Sequence, residues 1–255
     1  MRRTTGIPIV LIVLAPCLSG PAAAQYGNQS GSVIALHAQA HNVKGVTCDG
    51  LDPSLSCSQF TSTWPVGTGA DVYLVVAHAR ADLGISAVSL GIGYDAAPGS
   101  GVDVFGTALC GDLEYSNSGP NGEWPASHGG DRIIWVRTTN CQQSVRGTDG
   151  VHAVACAFYV YAYSPDQLAV IQNENLQFGP ELLVSDCPGP ANSNLPYPSH
   201  AGRVGFGTAG YNPCAELGSD TTPPVLQSAS GLAGASTVTV TFNEAMGAGS
   251  EVASN

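Results

Sequence analysis

Apolar residues in this chain recur with period two and almost never with period 3.6, which restricts its ordered parts to sheets. In SVIALHAQA, Val33, Ala35 and His37 fall on one face and Ile34, Leu36 and Ala38 on the other. AVSLGIGYD sets Val88, Leu90, Ile92 and Tyr94 against Ser89, Gly91 and Gly93, while DVYLVVAHA is apolar throughout, as a strand covered on both faces would be. GVDVFGTAL, DRIIWVRT, VHAVACAFYVYAY, QLAVIQN and ELLVSD read as further strands. DPS, APGSG, SNSGPNG, HGGD, RGTDG and FGP stand between strands and carry Gly, Pro, Asn or Asp for turn geometry. About eight strands within roughly 160 residues, and no capped amphipathic run, predict an all-β, antiparallel β-sandwich or jelly-roll-like domain over residues 25–189. From Cys187 onward, CPGPANSNLPYPSHAGRVGFGTAGYNPC has poor strand propensity, so residues 190–219 are expected to form a disulfide-tied closing loop or short hairpin and a linker.

The amino terminus predicts export. MRRTTG is a basic segment, IPIVLIVLAPCL a short apolar core, and SGPAAA-Q an A-x-A site with cleavage after Ala24, so residues 1–24 are a signal peptide. That core is shorter than the roughly 20 residues that span a bilayer, and no other stretch is apolar enough to do so. Acylation of Cys17 would be the competing processing route, but Pro16 is a poor fit to the small residue such a site wants. Loss of Arg2 and Arg3 takes the formal charge from -11 to -13, and Lys44 with five arginines are the bases that remain. So few bases exclude nucleic-acid binding by counterion release.

Seven cysteines follow the signal peptide. In an oxidising compartment they predict disulfides among Cys48, Cys57, Cys110, Cys141, Cys187 and Cys214, with Cys156, inside the longest strand, as the odd buried thiol. Cys48 and Cys57 flank the turn-rich DGLDPSLS, which suggests a loop clip. Cys110 and Cys141 each follow a strand-like run, and Cys187 with Cys214 would bracket the Pro/Gly-rich excursion. No C-x-x-C and no zinc-finger spacing occurs, so no metal ligand and no cofactor is assigned.

Catalytic constellations are hard to find. No G-x-S-x-G occurs, and Ser127, His128 and Asp131 have the residue types of a hydrolase triad but share one glycine-rich turn. His37 and His41 would stand about 13 Å apart on one face of a strand, too far for one ion. Asp95, Asp103, Asp112 and Glu114 are oxygen ligands that calcium would suit, yet no D-x-D-x-D-G loop organises them. The candidates for ligand stacking are Trp64 in TWPVG and Trp124 in EWPASHGG, because a neighbouring proline can hold an indole rigidly at a surface. Their alternative role is to plug the ends of the sandwich. The row Tyr159, Tyr161 and Tyr163 is expected to be one packed face.

Two resemblances add to this. DTTPPVLQSASGLAGASTVTVTFNEAM, with Val238, Val240 and Phe242 before Asn243-Glu244, resembles the start of a bacterial Ig-like domain. Residues 220–255 would then be the first strands of an incomplete module, and the chain a fragment of a longer tandem protein. Residues 31–189, through GSVIALHAQ, SCSQF, VYLVVA, AFYVYAYS and LLVSDC, are similar to uncharacterised secreted proteins of environmental bacteria. A weaker likeness, through the strand pattern of AVSLGIGYD and GVDVF, is to cohesin-type sandwiches. The expected function is that of an exported, non-enzymatic structural or adhesive protein, secreted or at the cell surface, with an extracellular glycan or another surface protein as partner. The alternatives are a carbohydrate-binding module that uses Trp64 and Trp124, and a secreted hydrolase.

Overall fold

The computed structural model describes residues 29–41, 44–174, 180–189, 191–217, 226–230 and 239–242. The strands are β1 (Val33–Ala40), β2 (Thr63–Trp64), β3 (Gly69–Ala79), β4 (Ala87–Gly93), β5 (Val102–Leu109), β6 (Leu113–Gly119), β7 (Gly122–Glu123) and β8 (Gly130–Ile134), followed by β9 (Val151–Ala162), β10 (Asp166–Ile171), β11 (Leu183–Ser185), β12 (Asn192–Asn194) and β13 (Arg203–Phe206). A short helix α1 (Pro213–Leu217) comes next, then β14 (Leu226–Ser230) and β15 (Thr239–Phe242). The expected all-β sandwich is the observed architecture. One sheet has the order β1-β3-β9-β5, and the other runs β2-β13-β10-β4-β8-β6-β7, with β11 also paired to β4 and β12 to β11.

The two sheets bury one core between them. β1 contributes Ile34, Leu36 and Ala38, and β3 contributes Ala70, Val72, Leu74 and Val76. The other sheet answers with Val88, Leu90, Ile92, Ile133, Leu168, Val170, Val204 and Phe206. A smaller cluster forms on the outer face of the four-stranded sheet, where Val33, Ala35, Tyr73, Val75 and Ala77 meet Leu51, Cys57, Phe60 and Cys214. DVYLVVAHA is apolar throughout because both of its faces are covered.

Several expectations are corrected. The segment after residue 189 is more than a closing loop or short hairpin at one end, because β13 enters the larger sheet between β10 and β2. Val204 and Phe206 carry it into the core, a signal of two alternating residues hidden among glycines. SNSGPNG is not a turn throughout, since Ser116–Gly119 belong to β6, whose polar sequence suits its mostly exposed position. The six expected cysteines do form three bridges, but as Cys48–Cys110, Cys57–Cys214 and Cys141–Cys187, with Cα–Cα separations of 5.6, 5.6 and 6.0 Å. The reason is topological. The segment from Cys48 to Gln59 crosses the outer face, so Cys48 meets the end of β5 and Cys57 meets α1. Cys141 and Cys187 follow β8 and β11, which flank β4 on its two sides. Cys156 is free and buried, as expected.

β14 and β15 form an antiparallel pair, with Ala229 opposite Val240. The signal peptide, Cys17 and the linker around Asp220 lie outside the described residues. Among the described residues no helix is long and apolar enough to cross a membrane.

Candidate functional site

Strand register builds a patch on the outer face of the four-stranded sheet. β9 lies between β3 and β5, and Phe158, Val160 and Ala162 point into the core, so Tyr159 and Tyr161 must point outward. Tyr159 lies opposite Asp71 on β3 and Gly106 on β5, and Tyr161 lies opposite Gly69 and Asp103. Both tyrosines therefore have a glycine neighbour, which leaves room for a ring to lie across the sheet. A Cβ on Gly69 would stand 2.9 Å from Tyr159 Cε2, so the ring occupies that space. A bulge in β5 between Val104 and Gly106 brings Phe105 to the same surface.

Phe105, Tyr159, Tyr161 and Tyr163 line one shallow depression of about 360 Å³. Phe105 is 56% exposed and Tyr163 46%. The rings support one another: Tyr161 and Tyr163 have centroids 4.8 Å apart, and Phe105 and Tyr159 6.0 Å. The Tyr161 hydroxyl donates to the Gly67 carbonyl at 3.1 Å. Behind Tyr159, the His41 ring packs at 4.2 Å while its Nδ1 meets Asp71 Oδ1 at 2.7 Å. The tyrosine row is thus one face, as expected, but that face is open. The other half of the same sheet surface lies under the segment from Cys48 to Phe60 and α1.

The two candidate tryptophans are elsewhere and apart. Trp124 is 9% exposed, belongs to the core and meets Phe158 edge-on at 5.7 Å. With its ring covered it cannot serve as a stacking platform, so it fills the end of the sandwich. Trp64 is half-buried against the core and lines a separate depression with Thr63, Pro65, Gly207 and Thr208.

The remaining polar candidates do not converge. Ser127 is buried, its hydroxyl donating to the Tyr94 carbonyl and accepting the Tyr94 N–H. His128 is exposed and faces Glu174, and Asp131 lies inside the sandwich, so no triad forms. His37 Nδ1 accepts the Thr61 N–H at 3.0 Å, and burial holds the imidazole below its ordinary pKa. Asp112 accepts from the Val136 N–H and the Asn140 amide, while Asp95 accepts from the Ala97 N–H and the Ser100 hydroxyl. Glu114 faces Asp131, whose carboxyl is raised to about 7, first by burial and then by Glu114.

One group among the described residues has metal-ligand geometry: Cys57, His78 and Cys214, whose ligand atoms lie within 4.8 Å of one another. These residues are too widely spaced in the chain to form a local motif.

Neither a family profile nor a curated protein sequence matches the chain. Among solved structures, similar chains include a cohesin module from a family 33 glycoside hydrolase of Clostridium perfringens, with 8% identity and a TM-score of 0.38, covering 69% of this chain and 96% of that one. A type II cohesin domain from the Acetivibrio cellulolyticus cellulosome has 12% identity and a TM-score of 0.37, covering 69% and 94%. Scores at this level support neither a shared function nor a shared site.

Proposed function

We propose that the chain is an exported, non-catalytic adhesive module that meets its partner through the open aromatic half of the four-stranded sheet. The observation that carries this is the row Phe105, Tyr159, Tyr161 and Tyr163, rigid on a sheet and exposed at both ends. Large rings with few rotatable bonds lose little entropy on contact, which is why they serve as anchors in recognition surfaces. Asp103 beside Tyr161 and the Asp71–His41 pair beside Tyr159 add polar groups at the edge of the rings. Ring faces next to the partly exposed Asp103 carboxylate favour a neutral glycan, so the carbohydrate alternative moves from the tryptophans to this face. The hydrolase alternative gains little from the Glu114–Asp131 pair, because Asp131 is wholly buried inside the sandwich where no substrate reaches it. The β14–β15 pair fits the proposal that residues 220–255 open an Ig-like module.

The test uses the chain from Gln25 onward, fluorescently labelled, and its retention on insoluble cellulose, chitin and xylan and on intact bacterial cells. A Phe105→Ala/Tyr161→Ala variant should lose at least tenfold in retention, about 1.4 kcal/mol, with thermal stability nearly unchanged. Retention on cells alone points to a protein partner, and retention on a polysaccharide to a glycan. Equal retention of variant and wild type would remove the aromatic face from the function.

A further inference from the structure

Cys57 and Cys214 are bonded to each other, yet other contacts fix their backbones. The Cys57 N–H donates to Asp149 Oδ2 at 2.6 Å, and the Cys57 carbonyl accepts from Asn212 Nδ2 at 2.8 Å. Asn212 Oδ1 in turn accepts the Cys214 N–H at 3.1 Å. Asp149 also holds the third member of the group, because the His78 N–H donates to its backbone carbonyl at 2.7 Å. His78 stands at φ 57°, a left-handed conformation uncommon for a residue other than glycine, where the ladder between β3 and β9 is irregular.

Unpartnered buried nitrogens single out the same place. His78 Nε2 is buried with no hydrogen-bond partner, and so are both ring nitrogens of His152, which lies beside Asp149. Leaving such nitrogens unpaired costs about 1–3 kcal/mol each and calls for a missing partner.

We propose that Cys57, His78 and Cys214 form a zinc site whenever the Cys57–Cys214 bond is open. Two thiolates and an imidazole suit Zn²⁺, and three protein ligands leave a fourth tetrahedral position. The site is organised in advance by Asp149 and Asn212, whose contacts do not involve the sulfurs. The open state exists in the chain before oxidation. From the bonded state it is reached with a dithiol: two electrons break the S–S bond, the dithiol leaves as a disulfide, and each protein thiol releases its proton when Zn²⁺ binds. Disulfide and zinc are thus exclusive occupants of one place, and the site is independent of the aromatic face.

The test takes the chain from Gln25 onward, fully reduced and kept anaerobic, and titrates it with Co²⁺ and then Zn²⁺. The expected result is one Co²⁺ per chain with tetrahedral d–d bands and a thiolate-to-cobalt charge-transfer band, displaced by one Zn²⁺. His78→Asn, which tolerates a left-handed backbone but lacks the imidazole, should weaken binding at least tenfold. Peptide mapping after alkylation of the reduced wild type, with and without Zn²⁺, should show protection of Cys57 and Cys214 against an otherwise labelled background. Octahedral Co²⁺ only, unchanged affinity in His78→Asn, or protection centred on other cysteines would each overturn the proposal. If His78→Asn does not fold, the wild-type spectrum and the protection map decide the matter by themselves.

Discussion

Asp131 sits on β8 with no exposed surface, and neither carboxylate oxygen makes a well-formed hydrogen bond, so the nearby N–H groups of Arg132 and Tyr115 offset only part of the cost of burial. The carboxylate beside it is Glu114, and burial first and this neighbour second raise the Asp131 pKa from 3.8 to about 7. A folded-state pKa above the unfolded value means that the folded chain holds its proton more tightly. The associated stability is fully present below the unfolded pKa and is lost as pH rises through about 7. About three pH units at 1.36 kcal/mol each set a ceiling of roughly 4 kcal/mol. Asp131→Asn keeps the shape and removes the charge, so other titrating groups cancel in the comparison. We expect the variant to match wild type near pH 4 and to exceed it by about 2–4 kcal/mol at pH 8. Glu114→Gln should give a smaller gain in the same direction, since it removes only the second cause. Urea midpoints followed by intrinsic fluorescence at several pH values provide the assay, with the slope m unchanged. A gap between Asp131→Asn and wild type that stays constant with pH would refute the reasoning, as would a variant less stable at pH 8.

Three further outcomes follow from packing. Trp124→Ala should cost about 3–5 kcal/mol in unfolding experiments while leaving retention by the aromatic face unchanged in the folded protein. Cys156, which burial pushes well above the ordinary thiol pKa, should be silent towards a thiol-specific chromogenic reagent in the native oxidised chain from Gln25 onward and give one thiol per chain in denaturant. Gly69→Val should displace the Tyr159 ring and weaken retention, measurable beside the Phe105→Ala/Tyr161→Ala variant, because even a Cβ there meets the ring at 2.9 Å.

The period-two alternation of β1, β4 and β9 was legible because every second side chain must enter the core, whatever the partner strand is. The same rule made Tyr159, Tyr161 and Tyr163 one face and Cys156 an inner residue. What alternation cannot say is what lies against a face. The segment from Cys48 to Phe60 crosses the outer surface of the four-stranded sheet and covers its Tyr73–Ala77 half but not its Tyr159–Tyr161 half. That choice, made by contacts distant in sequence, separates a core from a candidate binding face. It also set Cys48 against Cys110 and Cys57 against Cys214, against the local pairing that sequence proximity suggests. Trp64 and Trp124 show the same limit, since a Trp-Pro pair fixes local backbone but does not determine what covers the ring. The meeting of Cys57, His78 and Cys214 belongs wholly to tertiary structure, because Asp149 and Asn212 assemble it from segments that no spacing rule connects.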